Sequence, residues 1–116
     1  MAVNFPGLHV PAGATVNIRV EVTAPVNVTA FTARQKVTRW VVNEISTQLL
    51  AEEPELSVGD RLCWSVPVVL TSPGRGSVGK VGTIAVDATT GELLVEEDTA
   101  RRMSEDARRL AERSRL

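Results

Sequence analysis

One run of apolar side chains restricts the fold of this 116-residue chain more than any other feature. Between residues 30 and 52, apolar residues recur at steps of three and four: Ala33, Val37, Trp40, Val41, Ile45 and Leu49. This spacing predicts one long amphipathic helix whose apolar side must be covered by another layer. Thr29 or Thr32 is a suitable N-cap, and Pro54 predicts an end at or before Glu53.

Segments of alternating polarity supply that other layer. Residues 15–23 form the clearest predicted strand, with one apolar face made of Val16, Ile18, Val20 and Val22. A second strand is predicted over residues 62–71, where Pro67 indicates an edge position, a bulge or a bend. A third strand is predicted over residues 78–86 and a short fourth over residues 93–95.

The end of the chain predicts a second helix. Residues 98–116 carry a narrow apolar seam made of Ala100, Met103, Ala107, Leu110 and Ser114. This helix either docks back on the domain or pairs with a second copy. The predicted order is therefore β-α-β-β-β-α, an α+β fold with the long helix on an antiparallel sheet of three or four strands. We predict a flexible arm over residues 1–13, a single domain over residues 14–97 and the C-terminal helix over residues 98–116.

Charge and hydropathy exclude several classes of partner. Thirteen basic and 14 acidic residues give a net charge of -1, so no overall field favours nucleic acid or anionic lipid. No stretch approaches about 18 continuous apolar residues, so we expect no membrane span. The first ten residues lack the pattern of a secretion signal. We therefore expect a cytoplasmic protein.

The supply of catalytic and metal-binding side chains is small. The chain has one cysteine, Cys63, and one histidine, His9, which excludes an internal disulfide and a zinc site with four Cys or His ligands. With a single histidine, the chain also offers little for a catalytic Ser-His-Asp or Cys-His arrangement. We interpret Cys63 as a small filler residue and His9 as solvated. We predict no catalytic, cofactor-binding or metal-binding residue, and no cofactor.

A glycine motif invites a nucleotide-binding interpretation. Residues 74–80 read GRGSVGK, which fits the G-x-x-x-x-G-K pattern of a phosphate-binding loop. However, Val81 stands where a Ser or Thr hydroxyl would hold magnesium, and a strand rather than a helix is predicted to follow. The motif is therefore better explained as the glycine-rich loop of a hairpin.

Three further groups of residues have ordinary structural explanations. The C-terminal helix carries six arginines, but residues 96–116 also carry six acidic residues, which predicts a solvated helix laced with ion pairs. Trp40 and Trp64 lie on apolar faces and predict core anchors. Acidic residues flank Pro54, where we expect water to solvate them: Glu52, Glu53 and Glu55.

Two short motifs resemble a known family. Trp64-Ser65-Val66 and the VDATTGE run at residues 86–92 follow the long helix, and residues 33–95 together resemble a PepSY-like domain. The resemblance implies a cystatin-like helix-on-sheet fold and a non-catalytic binding role linked to peptidase inhibition. This chain adds a strand before the helix and a helix at its end.

The absence of a catalytic constellation favours a small non-catalytic protein-interaction module. We expect it to self-associate, with a C2 homodimer as the default because that is the commonest soluble assembly. The alternative is an inhibitor or antitoxin-like partner of a peptidase or another enzyme. A third hypothesis is an enzyme that acts through backbone and carboxylate groups.

Overall fold

The computed structural model describes residues 12–15, 17, 21 and 23–113. Within this part, two helices enclose five strands in chain order. The elements are α1 (Ala30–Glu44), β1 (Leu49–Ala51), β2 (Glu55–Val58), β3 (Leu62–Ser72), β4 (Gly76–Asp87), β5 (Leu93–Leu94) and α2 (Thr99–Arg113). All strand pairs are antiparallel. The prediction of an α+β fold with a helix on an antiparallel sheet is confirmed.

The strand count differs from the prediction. The predicted strand at residues 15–23 has its four apolar residues outside the described part of the chain. After α1, the sequence predicts three strands, whereas the structure has five. The first additional strand, β1, occupies residues in which the sequence predicts the end of the helix. The second, β2, occupies residues in which the sequence predicts no strand.

Helix α1 begins where the sequence predicts and ends much earlier. The Thr29 hydroxyl accepts a hydrogen bond from the Thr32 amide at 3.1 Å, as an N-cap does. The helix ends at Glu44, where the amides of Ile45 and Ser46 both donate to the Val41 carbonyl at 3.0 Å. The predicted helix over residues 30–52 is therefore wrong beyond Glu44.

Leu49 explains the error at the helix end. It continues the helical spacing, but it also pairs with Leu70 in the sheet, where it is only 2% exposed. The neighbouring Gln48 carbonyl accepts a hydrogen bond from the Thr71 amide at 2.8 Å. Because pairing with β3 satisfies this backbone and still buries Leu49, tertiary structure overrides the local helical pattern.

Strand β3 organises the sheet. Both β1 and β2 pair with one edge of β3, and β4 pairs with its other edge along most of its length. The short strand β5 pairs with the other edge of β4, at Ala85 and Val86. The sheet order is therefore β1-β3-β4-β5, with β2 beside β3 next to β1.

Pro67 lies in this central strand rather than at an edge. Its carbonyl accepts a hydrogen bond from the Glu52 amide at 2.8 Å. In a β-strand, the N–H and C=O groups of one residue point toward the same neighbouring strand. The position of the missing N–H of Pro67 therefore faces the break between β1 and β2. The proline is tolerated because the neighbouring strand is interrupted there. A register shift in the β3–β4 pair follows at Val68/Val69.

Both helices contribute to one core. The fully buried residues of α1, Ala33, Val37 and Val41, belong to the same cluster as Val66 and Val68 of β3. Helix α2 adds Met103, which is 5% exposed. The C-terminal helix thus docks on its own domain, which is one of the two arrangements that the sequence leaves open.

Glycines in β4 allow α2 to lie close to the sheet. A Cβ atom at Gly82 would stand 3.3 Å from the Cε atom of Met103. At Gly79 it would stand 3.0 Å from a methyl group of Leu110. A side chain at either glycine would require Met103 or Leu110 to shift, so the two glycines and the apolar seam of α2 form one contact.

We expect Met103→Ala to destabilise the protein by about 2–4 kcal/mol, because it leaves a cavity between α2 and β4. Urea denaturation measures this change in the free energy of unfolding. The neighbouring exposed Ser104→Ala is the matched control and should change it by less than about 0.5 kcal/mol. Equal effects of the two substitutions would contradict the docking of α2.

Candidate interaction surface

The glycine motif forms the turn between β3 and β4. Gly74 and Gly76 have φ angles of 80° and 73°, which glycine adopts without steric cost. Strand β4 begins at Gly76, and Lys80 is an exposed residue of that strand. No helix N-terminus follows the motif, so its amides do not form a phosphate cradle. The structure agrees with the hairpin interpretation.

Three arginines of α2 pair with neighbouring acids. Arg102 lies 3.3 Å from Asp98, as the i,i+4 spacing predicts. Two further arginines also have acidic neighbours: Arg101 lies 3.3 Å from Glu105, and Arg109 lies 3.4 Å from Asp106. These pairs are exposed and contribute little stability. They do distribute both charges over the helix, which is unlike a nucleic-acid patch.

The acids around Pro54 do not converge. Glu52, Glu53 and Glu55 are all exposed, and Glu53 lies 3.8 Å from Arg34. Pro54 itself is buried in the gap between β1 and β2. No apolar pocket encloses two of these carboxylates, so the arrangement offers no acid–base pair.

The two tryptophans support the core from its margins. The Trp64 indole N–H donates to the Val28 carbonyl at 2.7 Å and ties the segment before α1 to the sheet. Trp40 is half-buried and packs against the core cluster beside β5. Both positions agree with the prediction of core anchors.

Asp87 is a buried carboxylate at the end of β4. Its Oδ1 atom accepts hydrogen bonds from the amides of Thr90 at 2.9 Å and Thr89 at 2.8 Å, and Arg61 lies 3.4 Å from Oδ2. These two backbone hydrogen bonds, assisted by the Arg61 charge, lower the pKa of Asp87. Sequence reasoning identified the turn here but not the carboxylate that organises it.

Cys63 on β3 pairs directly with Asp87 on the adjacent strand β4. Burial raises the pKa of the Cys63 thiol, the Asp87 charge raises it further, and Arg61 offsets part of the effect. A thiol nucleophile requires the opposite shift. The interpretation of Cys63 as a filler residue therefore fits its surroundings.

Metal ligands and membrane helices were also sought in the described ranges. There, no three His, Cys, Asp or Glu side chains are grouped so that they could hold a metal ion. None of the helices in those ranges has the length and apolar character needed to cross a bilayer. His9 lies outside the described residues.

The solvent-facing side of α1 carries exposed apolar and basic side chains together. We call it the α1 outer face. It borders a shallow, open concavity of about 440 Å³. Its residues share one side of the helix: Phe31, Arg34, Gln35, Thr38, Arg39, Val42 and Asn43. Phe31 lies in the first turn of this helix, and 68% of its surface is exposed to solvent.

The α1 outer face combines apolar and basic groups. Phe31 and Val42 supply its apolar surface near the two ends, and Arg34 and Arg39 supply positive charge between them. The Arg34 Nε atom donates to the Ala51 carbonyl at 2.9 Å, which holds this guanidinium beside the sheet edge. None of the described lining residues is acidic. The surface is therefore suited to an apolar ligand that carries negative charge.

Sequence reasoning missed this surface. It traced the apolar stripe that faces the core and assigned Arg34 and Arg39 to a generic polar side. The available signal was an aromatic residue, Phe31, and an aliphatic one, Val42, on that polar side. No protein family, curated protein or solved structure matches this chain, so these residues are interpreted from their chemistry alone.

Asp87→Asn should remove a pH-dependent part of the stability. The pKa of Asp87 is lower in the folded state, so its ionised form stabilises the fold above the ordinary aspartate pKa of about 3.9. That contribution is lost as the pH falls through the lowered pKa. Urea denaturation between pH 7 and pH 2.5 should show a gap between wild type and variant that narrows below about pH 4.

The exposed Asp60→Asn is the matched control for this experiment. It should track the wild type over the whole range. A gap for Asp87→Asn that stayed constant down to pH 2.5 would contradict the assigned role of the carboxylate.

Proposed function

We propose that this chain is a non-catalytic protein-binding module whose α1 outer face holds another protein. The observation that carries this proposal is the exposure of Phe31 on a helix face that also carries Val42 and two arginines. Aromatic residues and arginine are enriched at the energetic centres of protein interfaces. Phe31 contributes little to the core of its own domain, because more than half of the side chain remains in water.

The dispersal of candidate catalytic groups supports the non-catalytic part of the proposal. The Cys63 thiol has a raised pKa, and the Asp87 carboxylate is engaged by two amides and an arginine. The acids near Pro54 are exposed to solvent. An enzyme needs several such groups around one reacting atom.

Helix α2 and the outer edge of the sheet offer little support for self-association, which favours a heterologous partner. Pairing of α2 between copies would require Met103 to leave its buried position against Gly82. The outer edge of β1 and β2 is interrupted by Pro54, and Arg34 occupies the Ala51 carbonyl. The C2 homodimer stays a prediction, but these two routes to it are poorly supported.

Two further expectations, about location and family, accompany this proposal. A cytoplasmic location is supported by the single unpaired cysteine, since disulfides are rare in reducing compartments. A PepSY-like relationship is supported by the order of one helix followed by an antiparallel hairpin. Both are compatible with a binding domain that lacks an active site.

Affinity capture with variants of Phe31 tests the proposal. The tagged wild type should retain a second protein in stoichiometric amount from a lysate of the source organism, and light scattering should give the mass of the complex. Phe31→Ala should reduce the retained protein at least tenfold while the circular dichroism spectrum stays unchanged, because the apolar anchor is lost.

Leu50→Ala is the matched control, since Leu50 is another exposed apolar residue but lies on β1. It should retain the partner at the wild-type level. Retention by Phe31→Ala, or elution of the chain alone at twice its own mass, would contradict the proposed use of the α1 outer face.

A further inference from the structure

We infer that the segment docking on the α1 outer face is an amphipathic helix of about three turns whose apolar stripe is flanked by Asp or Glu. This inference rests on the proposed function and specifies the chemistry of the partner. It follows from three properties of the surface: its length, its shape and its charge.

The length comes from the spacing of the apolar groups. Phe31 and Val42 are eleven positions apart on a continuous helix, which corresponds to about 16 Å. Residues 31, 35, 38 and 42 follow steps of four, three and four, so they form one line along α1. A partner helix of about three turns spans the same distance with apolar residues at i, i+3 or i+4, i+7 and i+11.

The shape favours a helix over an extended strand. The surface consists of side chains of one helix, whose interior amides and carbonyls are already paired along the helix. An extended partner segment would find no backbone ladder here and would bury unpaired amides. A helix satisfies its own backbone and can place side-chain ridges into the grooves of α1.

The charge specifies the flanks of that helix. Helix α1 contains the basic residues Arg34, Lys36 and Arg39, and one acidic residue, Glu44. Of these, Arg34 and Arg39 line the concavity between the apolar ends. Arg34 already donates to the Ala51 carbonyl and lies 3.8 Å from Glu53. Carboxylates beside the partner's apolar stripe would therefore pair mainly with Arg39. The planar donors of its guanidinium group suit carboxylate geometry.

The same charges argue against a second copy as the occupant. A C2 interface places one patch against itself, so two arginines would face two arginines without an acidic residue among the described lining residues. Helix α2 of a second copy is also a poor occupant, because its Asp98, Glu105 and Asp106 already pair with arginines of α2.

Site-specific photo-crosslinking tests this inference on the full chain. Phe31→p-benzoylphenylalanine places a cross-linker at the apolar end of the surface, and the chain is irradiated in a lysate of the source organism. Sequencing of the cross-linked peptide by mass spectrometry should identify a segment with apolar residues at helical spacing and an excess of Asp and Glu. Ser104→p-benzoylphenylalanine on the exposed side of α2 is the positional control and should not label that segment.

Charge reversal then tests the role of the arginines. In the cross-linking chain, Arg39→Glu should lower the yield at least fivefold, and 1 M salt should lower it similarly because it shortens the screening length to about 3 Å. Arg108→Glu makes the same change on exposed α2 and should leave the yield unchanged. A synthetic copy of the segment with its acids replaced by lysine should recover binding to Arg39→Glu.

The outcomes separate the two proposals. A cross-linked segment that is basic, neutral or strand-forming would overturn the acidic helix while leaving a partner on the α1 outer face. Cross-linking to a second copy of this chain would overturn the inference and the heterologous partner together. No cross-link from position 31 would overturn the use of this face altogether.

Discussion

The packing of α1 against β3 determines the rest of the structure. Val37 and Val41 are fully buried against the sheet, in the same cluster as Val66 and Val68. Because a helix has a fixed periodicity, this contact also fixes which residues of α1 face water. Phe31 is exposed for that reason: the core contact and the proposed binding surface are opposite sides of one helix.

The long strands could be predicted from the sequence, whereas the short ones could not. Strands β3 and β4 alternate over many residues, and α1 and α2 carry clear apolar stripes, so local pattern and tertiary structure agree there. Leu49 satisfies both a helical and a strand pattern, and pairing with Leu70 decides between them. Strand β2 is only four residues long, so the alternation of Glu55 and Ser57 with two apolar residues is too short to indicate a strand.

The candidate surface was less predictable than the fold. An isolated apolar residue on the polar side of a helix is common, so the signal from Phe31 and Val42 was weak without knowledge of their exposure and their shared concavity. Asp87 shows the same limit, because its role depends on amides that only the folded turn brings to its carboxylate.

The most direct test of the central claim is whether the fold needs Phe31. Urea denaturation should give Phe31→Ala a free energy of unfolding within about 0.5 kcal/mol of the wild type, because its side chain is mostly in water. Val37→Ala, on the buried side of the same helix, should cost about 2 kcal/mol through lost burial and a cavity. If Phe31→Ala cost as much as Val37→Ala, the ring would belong to the core, and the α1 outer face would not be a surface kept for a partner.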